Sequence, residues 1–80
     1  KLGVRGLVEE VVSYRVRATN SNISTLVHNY RIGGVMYRVE HLGQAAAPGQ
    51  RVAFEYLDGT GIMGPSALFF RIEDEPVMTL

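Results

Sequence analysis

Arginine supplies most of the chemically distinctive side chains of this chain. Of its eight basic residues, only Lys1 is a lysine. The planar guanidinium group of arginine can pair with a phosphate through two parallel hydrogen bonds or stack on a flat ring, which suits it better than lysine to such contacts. The formal net charge is zero, so no overall field draws the protein to nucleic acids or acidic membranes. Binding of an anionic partner would therefore depend on how the arginines are grouped.

The two histidines are the next candidates, because imidazole groups bind metal ions and transfer protons. His28 and His41 are expected on one face of a hairpin, about 7–8 Å apart between their backbones. A metal site needs a third ligand, but Glu40 is expected on the opposite face and the chain has no cysteine. We therefore expect no metal and no cofactor, and we interpret both histidines as structural.

The carboxylates and glycines give no catalytic pattern. Neighbouring residues in a strand face opposite sides, so the pair Glu9–Glu10 is poorly placed to act as acid and base on one substrate. Residues 59–64 match G-x-G-x-x-G, but Pro65 and a strand follow, whereas phosphate binding by this motif needs a helix N-terminus. No nucleophile with a neighbouring base can be assembled. The sequence therefore predicts a protein that is not an enzyme.

A glycine pair determines the hairpin that positions several of these side chains. Gly33–Gly34 favours a two-residue turn, because both central positions of a type I′ turn have positive φ. The turn pairs Ile32 with Val35 and Tyr30 with Tyr37 on one face, which we expect to be the core. A slip of one residue would exchange the two faces. The face expected outside carries Val27, Asn29, Arg31, Met36, Arg38 and Glu40.

The first predicted element is one long strand over residues 1–19, with a bulge or sharp bend at Glu9–Glu10, where charge interrupts the apolar alternation. A small barrel needs such a bend so that one strand can serve two sheets. The parity expected inside consists of Val4, Gly6, Val8, Val12, Tyr14, Val16 and Ala18. Arg15 and Arg17 belong to the other parity, so we expect them on the outer face.

Two further strands are predicted after the hairpin, at residues 51–58 and 66–73, because apolar and polar side chains alternate there. In the last strand, the residues expected inside are Leu68, Phe70 and Ile72, and those expected outside are Phe69 and Arg71. The glycines of residues 58–65 predict a loop. Residues 43–50 are interpreted as a connection and residues 74–80 as a tail.

Five short strands without an evident helix predict a single all-β domain over residues 1–80, with a core of about residues 3–73, folded as a closed five-stranded small barrel. The long bent first strand, the hairpin of strands two and three and the two further strands resemble the OB-fold. The resemblance departs at residues 43–50, which leave little room for the helix usual between strands three and four. An SH3-like or Sm-like barrel is the alternative.

The resemblance to the OB-fold implies a ligand on the outer face of strands one to three, framed by the loops after strands one and four. With Phe69 of strand five, the predicted site consists of Arg15, Arg17, Asn29, Arg31, Arg38 and Phe69. Arginines that share one sheet face can follow a phosphate backbone or stack on bases. The predicted function is therefore non-catalytic binding of single-stranded DNA or RNA. A simpler interpretation is that these arginines pair with Glu9, Glu40 and Glu55.

A second interpretation is a protein-interaction or oligomerisation domain of a larger protein that could be anchored in a membrane. It is based on the zero net charge, on a first residue that is Lys1 rather than Met, and on apolar residues expected outside. These are Val11, Val27, Met36, Leu57 and Phe69. No apolar run approaches the ~20 residues of a membrane span. No signal peptide is evident, and we therefore favour a cytoplasmic location.

Overall fold

The computed structural model describes residues 2–17, 22–61 and 64–73, and all regular secondary structure in them is β. The strands are β1 (Leu2–Leu7), β2 (Glu10–Arg17), β3 (Ser24–Ile32), β4 (Val35–Glu40), β5 (Arg51–Gly61) and β6 (Gly64–Ile72). They form two antiparallel sheets of three strands each, in the orders β1-β5-β6 and β2-β3-β4. The all-β prediction is confirmed, whereas the tail at residues 74–80 lies outside the described residues. In the described part of the chain, no helix is long and apolar enough to cross a membrane.

The predicted first strand is divided into β1 and β2 by a bend at Val8 and Glu9. The amide of Val8 donates to the carbonyl of Gln50 at 2.9 Å, and the amide of Glu9 donates to the carbonyl of Arg31 at 2.8 Å. These acceptors belong to the two different sheets, since Gln50 precedes β5 and Arg31 lies in β3. The amides of Val8 and Glu9 therefore bond to different sheets, so the chain leaves one sheet and enters the other at this bend, as predicted.

The sheets do not close into the five-stranded barrel that we predicted. Among the described residues, no backbone ladder joins β4 to β6. Two hydroxyl groups bridge the sheets instead: Tyr56 Oη accepts from the amide of Arg38 at 3.1 Å, and Ser66 Oγ accepts from the amide of Glu40 at 2.8 Å. When β1 and β2 are counted together as strand 1, β3, β4, β5 and β6 become strands 2, 3, 4 and 5. The order across the two sheets is then 5-4-1-2-3, which contains the Greek-key order 4-1-2-3.

The hairpin of β3 and β4 has the predicted register and core face. Gly33 and Gly34 have φ values of 59° and 79°, and Ile32 pairs with Val35 and Tyr30 with Tyr37. Tyr30 is fully buried. The core that the two sheets enclose consists of Val4, Val8, Tyr30, Ile32, Val39, Ala46, Val52 and Phe54. The glycine turn therefore selects the face that packs inside.

One residue of the hairpin's outer face departs from the prediction. Val27 is fully buried, although we expected it outside. Its cross-strand neighbours are Tyr14 on β2 and Glu40 on β4. These longer side chains flank the small valine from both sides, as directly opposite residues in a sheet do.

The alternation in β2 is shifted by one residue from that in β1. Val4 and Val8 face the core, but on β2 it is Val11 that packs against the core, opposite Tyr30. Val12 is 52% exposed. The inward assignment of Val12, Tyr14 and Val16 is therefore wrong, and so is the outward assignment of Val11. The cause is the bend: the inward residues Val8 and Val11 are three positions apart, not two or four, and this odd spacing reverses the parity that faces inside.

Candidate functional site

The structure distributes the predicted site residues over three surfaces. They are Asn29, Arg31 and Arg38 on the outer face of the β2-β3-β4 sheet, Arg15 and Arg17 on its opposite face, and Phe69 on β6 of the other sheet. Arg15 pairs with Leu26, which has the same alternation in β3 as the core residue Tyr30. The expectation that the four arginines share one face is therefore wrong, because the bend reverses the parity of β2.

The two arginines that do face outside on this sheet are ion-paired. Arg31 Nε lies 3.3 Å from Glu9 Oε1, and its Nη1 lies 3.8 Å from Glu10 Oε1. Arg38 Nη1 lies 2.6 Å from Glu40 Oε2, and only 20% of its side chain is exposed. Pairing with Glu9 and Glu40 is what the simpler interpretation of the arginines expected. This face therefore has little uncompensated positive charge.

Arg15 and Arg17 are placed differently. Both side chains are exposed near the C-terminal end of β2. In the residues that the structure describes, neither guanidinium group makes a hydrogen bond or an ion pair. These two cations are therefore available to a partner, although they do not share a surface with Arg31 and Arg38.

His41 takes part in a partly buried hydrogen-bond network. His41 Nδ1 lies 2.9 Å from the carbonyl oxygen of Leu42, and a carbonyl only accepts, so this nitrogen carries the proton. His41 Nε2 then accepts from the Tyr30 hydroxyl at 2.8 Å, and that hydroxyl accepts from the amide of Ala46 at 3.0 Å. Burial raises the pKa of Tyr30, and the Ala46 amide acts in the opposite direction. The network attaches the 43–50 connection to the core.

A serine–histidine pair lies beside this network. Ser13 Oγ is 2.6 Å from His28 Nδ1, which is the contact from which a nucleophile could be built. His28 is almost fully buried; its Nε2 has no hydrogen-bond partner of good geometry in the described part of the chain, and the backbone of Gly43 is the third group that acts on the ring. Burial, and then the neighbouring His41, lower the pKa of His28. The described residues also contain no cluster of three metal-ligating side chains.

A β-bulge in β6 gives the most unusual backbone conformation of the described residues. Ala53 pairs with Arg71 and Glu55 pairs with Leu68, so Phe54 alone lies opposite both Phe69 and Phe70. Phe69 has φ 57°, which is an outlier for a bulky residue and costs on the order of 1–3 kcal/mol. The bulge is an extra residue that redirects a side chain.

The bulge sends its two phenylalanines to opposite sides of the sheet. Phe70 turns inward and stacks on Tyr30 at 5.4 Å between ring centroids, as predicted. Phe69 points outward, also as predicted, and is 73% exposed. Leu68 and Ile72, predicted inside, are both exposed. The bulge moves Leu68 to the outer parity, whereas Ile72 keeps the inner parity but lies at the end of the strand.

Phe69 borders an open groove of about 480 Å³ on the outer face of the β1-β5-β6 sheet. We call it the Phe69 groove, and its lining residues are Gly3, Val4, Arg5, Ala53, Phe54, Glu55, Phe69 and Arg71. A row across the three strands aligns Arg5, Ala53 and Arg71. The small Ala53 side chain forms the floor between the two arginines, and a side chain added at Gly3 would meet only open space. The groove is therefore shallow, with an arginine on each side.

Glu73 holds both arginines of the groove. Arg5 Nε lies 3.0 Å from Glu73 Oε1, and Arg71 Nη2 lies 3.0 Å from Glu73 Oε2. The side chains of Arg5 and Arg71 are 68% and 56% exposed. One carboxylate is thus shared by two guanidinium groups, which fixes their positions and leaves the three groups with one net positive charge.

The sequence contained only part of the signal for this groove. Phe69–Phe70 is a pair of adjacent aromatic residues in a strand, where neighbours face opposite sides, and it correctly placed Phe69 outside. Arg5 could not be assigned to the same site from spacing, since it is 66 positions from Arg71 and meets it only because β1 pairs with β5. The groove presents a flat exposed ring beside two arginines that share the Glu73 carboxylate, and Glu55 also lines it. The ring, on which a planar group can stack, is therefore its main binding feature. Comparisons with models of protein families, with curated proteins and with solved structures give no match for this chain.

Proposed function

We propose that this protein is a non-catalytic binding module that holds single-stranded nucleic acid in the Phe69 groove. The observation that carries the proposal is an aromatic ring, 73% exposed, that a bulge with unfavourable φ keeps above a sheet face lined by arginines. Stacking of a base on such a ring contributes about 1–3 kcal/mol and does not depend strongly on the base. Unfavourable backbone conformations persist where the surrounding fold imposes them, and they are concentrated at functional sites.

The arginines of the groove fit a phosphate next to the stacked base. Arg5 and Arg71 share a single carboxylate, so each retains donors for a second acceptor. One neutralised phosphate predicts a slope of about −0.7 for the logarithm of the binding constant against the logarithm of the salt concentration. This modest slope agrees with a protein of zero net charge, in which stacking contributes more than long-range attraction.

The proposal includes an OB-like topology. The bent first strand and the Greek-key order support it, and OB-folds are partly open five-stranded Greek-key barrels. The Phe69 groove lies on the β1-β5-β6 sheet, however, and not on the face of strands one to three that the resemblance implied. On that face Arg31 and Arg38 are occupied by carboxylates. We therefore move the proposed site and retain Phe69 from the set predicted from the sequence.

Fluorescence anisotropy with labelled single-stranded oligonucleotides at low and high salt tests the proposal. Phe69→Leu keeps an apolar side chain but removes the ring, and should weaken binding by roughly 5- to 150-fold, the equivalent of 1–3 kcal/mol. Phe69→Tyr is the matched control, because it keeps the ring and should bind like the original protein. Absence of binding at low salt, or unchanged affinity of Phe69→Leu, would overturn the proposal. If the Arg31→Glu, Arg38→Glu double variant loses oligonucleotide binding while Phe69→Leu keeps it, the site lies on the face first predicted.

An interaction or oligomerisation domain is the second candidate function. The observation in its favour is the outer face of the β2-β3-β4 sheet, on which Val12, Tyr14 and Met36 are exposed while the nearby charges are paired. Aromatic, methionine and arginine side chains with few unpaired charges are typical of the centre of protein interfaces. A pull-down with the chain as bait, compared with a Val12→Lys, Met36→Lys variant, tests it. Identical partners for both would exclude this face.

A further inference from the structure

The β2 strand has one unpaired edge in the described part of the structure. Its only described ladder is with β3, and the order β2-β3-β4 places it at the border of its sheet. The other border, β4, is covered, because the amides of Arg38 and Glu40 bond to Tyr56 and Ser66 of the second sheet. An open edge of eight residues is long enough to pair with an added strand.

The hydrogen bonds of β4 identify which backbone groups of β2 face the open side. Because the amides of Arg38 and Glu40 point away from β3, the residues that they face on β3, Asn29 and Val27, direct their backbone groups to β2. The residues of β2 opposite these two therefore use their backbone groups inside the sheet. The alternate residues, whose backbone groups face the open side, are Val11, Ser13, Arg15 and Arg17.

The side chains along this edge are basic on one face of the sheet and apolar on the other. Arg15 and Arg17 have the parity that faces the core, but they lie near the end of the strand and are exposed. Val12 and Tyr14 lie on the outer face, where they are 52% and 38% exposed. Successive side chains of a strand point to opposite faces. An added strand would therefore place every second side chain beside the arginines and the others beside the apolar residues.

The two arginines lack a counter-charge in the part of the chain that the structure describes. Their cross-strand neighbours on β3, Leu26 and Ser24, carry no charge, and neither guanidinium group forms an ion pair with a described residue. Opposite charges directly across a strand pair stabilise it, and like charges destabilise it. Charged side chains protect an edge from unspecific pairing, and here the protection has one sign. The edge therefore repels a basic strand and favours one with acidic residues at alternate positions.

We propose that the open edge of β2 binds an extended acidic segment of a partner protein, which pairs antiparallel with β2 and adds a fourth strand to the β2-β3-β4 sheet. Two acidic residues of the segment, separated by one residue, lie opposite Arg15 and Arg17. Apolar residues at the alternate positions lie on the same face as Val12 and Tyr14 and cover them. In this mode of recognition the main-chain hydrogen bonds give affinity and the alternating side chains give specificity.

Fluorescence anisotropy with short labelled peptides and the whole chain tests the proposal. The probe peptide alternates glutamate with valine, and its matched control has lysine in place of glutamate. The glutamate peptide should bind, and high salt should weaken it because the charged contact is exposed. The lysine peptide should bind roughly tenfold more weakly, or less, because two attractive pairs become repulsive. Equal binding of both peptides, or binding of neither, would overturn the proposal.

A charge exchange tests the contact with the two arginines. The Arg15→Glu, Arg17→Glu double variant should lose the preference for the glutamate peptide and bind the lysine peptide better. Both side chains lie outside the hydrophobic core, so the fold should tolerate the change. The expected gain of binding to lysine cannot result from unfolding, and it is therefore the control for the expected loss. A double variant that still prefers glutamate would contradict the proposed contact.

N-methylation of the peptide backbone tests strand pairing and its register. In the proposed register, the glutamate opposite Arg15 exchanges backbone hydrogen bonds with it, whereas the amides of the neighbouring valines point away from β2. N-methylation of this glutamate should weaken binding by roughly tenfold, because it removes one hydrogen bond at the edge. N-methylation of the next valine is the matched control and should have a smaller effect. Equal losses from both would contradict the proposed strand pairing.

Other occupants of this edge give different results. If neither peptide binds and the Arg15→Glu, Arg17→Glu variant loses affinity for oligonucleotides, the arginines belong to a nucleic-acid site. If neither peptide binds and sedimentation velocity shows dimers of the original chain that this variant lacks, a second copy occupies the edge. Either result would overturn the proposal. The Phe69 groove lies on the other sheet, so Phe69→Leu should keep the original peptide affinity, and the nucleic-acid proposal can fail without this one.

Discussion

Replacement of Phe69 by glycine and by alanine tests whether the fold holds this residue in an unfavourable backbone conformation. Both variants lose the exposed phenyl ring, so the difference between their stabilities isolates the backbone. A residue with a side chain in the left-handed region costs about 1–2 kcal/mol, whereas glycine in an ordinary strand is about 0.5–1 kcal/mol less favourable than alanine. At φ 57° the first effect exceeds the second. Phe69→Gly should therefore be more stable than Phe69→Ala by about 0.5–1 kcal/mol.

Urea unfolding and thermal unfolding measure this difference. In a domain of this size, 1 kcal/mol displaces the thermal midpoint by about 4–8 °C. The matched control is Leu68→Gly against Leu68→Ala, because Leu68 is also exposed but does not have a positive φ. There alanine should be the more stable variant by about 0.5–1 kcal/mol. If alanine is the more stable replacement at both positions, the bulge does not hold Phe69 in the left-handed region and the reasoning is refuted.

Three other predictions concern the hydrogen-bond network and the groove. Tyr30→Phe should lower the free energy of unfolding by about 1–3 kcal/mol in urea titrations, because it leaves His41 Nε2 and the Ala46 amide unpaired. The pKa of His28 is below its usual 6.5, so between these two values the unfolded chain binds more protons. Stability should therefore fall as the pH falls from about 6.5 through the folded-state pKa, and His28→Gln should lack this part of the pH dependence. Glu73→Gln releases Arg5 and Arg71 and should tighten oligonucleotide binding at low salt in anisotropy measurements, whereas unchanged or weaker binding would contradict the role of these cations.

The hairpin was predictable because its determinants are local. Gly33 and Gly34 can adopt positive φ without cost, and the resulting turn fixes the pairing of every residue on both strands. Tyr30 and Ile32 therefore faced the core as expected. The same local argument succeeded for Phe69 and Phe70, which are adjacent and must separate to opposite faces of a strand.

The faces of β2 were not predictable, because they depend on contacts between sheets. The bend was expected at Glu9–Glu10, but its effect on parity depends on the bonds that Val8 and Glu9 form with distant carbonyls. Had the strand continued straight, Arg15 and Arg17 would have shared the outer face. The alternation of apolar and polar residues within a strand does not indicate how many residues a neighbouring bend contains.

The prediction of a glycine-rich loop at residues 58–65 was wrong for a different reason. Composition indicated a loop, yet β5 continues to Gly61 and β6 begins at Gly64. Thr60 Oγ1 donates to one of the carbonyls of Leu57 and Ser66, which lie at 2.9 Å, and accepts from the amide of Ser66 at 3.0 Å. This hydroxyl group and the backbone pair Gly61–Gly64 thus join the two strands near their ends. Threonine favours strands, but the glycines around it outweighed that signal.

Two interruptions of strand alternation explain why the candidate site moved from one sheet to the other. The bend after Val8 turned Arg15 and Arg17 away from Arg31, and it also brought Glu9 within 3.3 Å of the Arg31 guanidinium group. Because of this bend, the face predicted from the sequence lacks Arg15 and Arg17, and the carboxylate of Glu9 compensates the charge of Arg31 there. The bulge of β6 had the opposite effect, because the extra residue exposes Phe69 while its neighbours continue the ladder. The proposed binding in the Phe69 groove is therefore expected to depend on the bulge. A variant that lacks Phe69 should repair the ladder between β5 and β6, stabilise this strand pair and abolish the proposed binding.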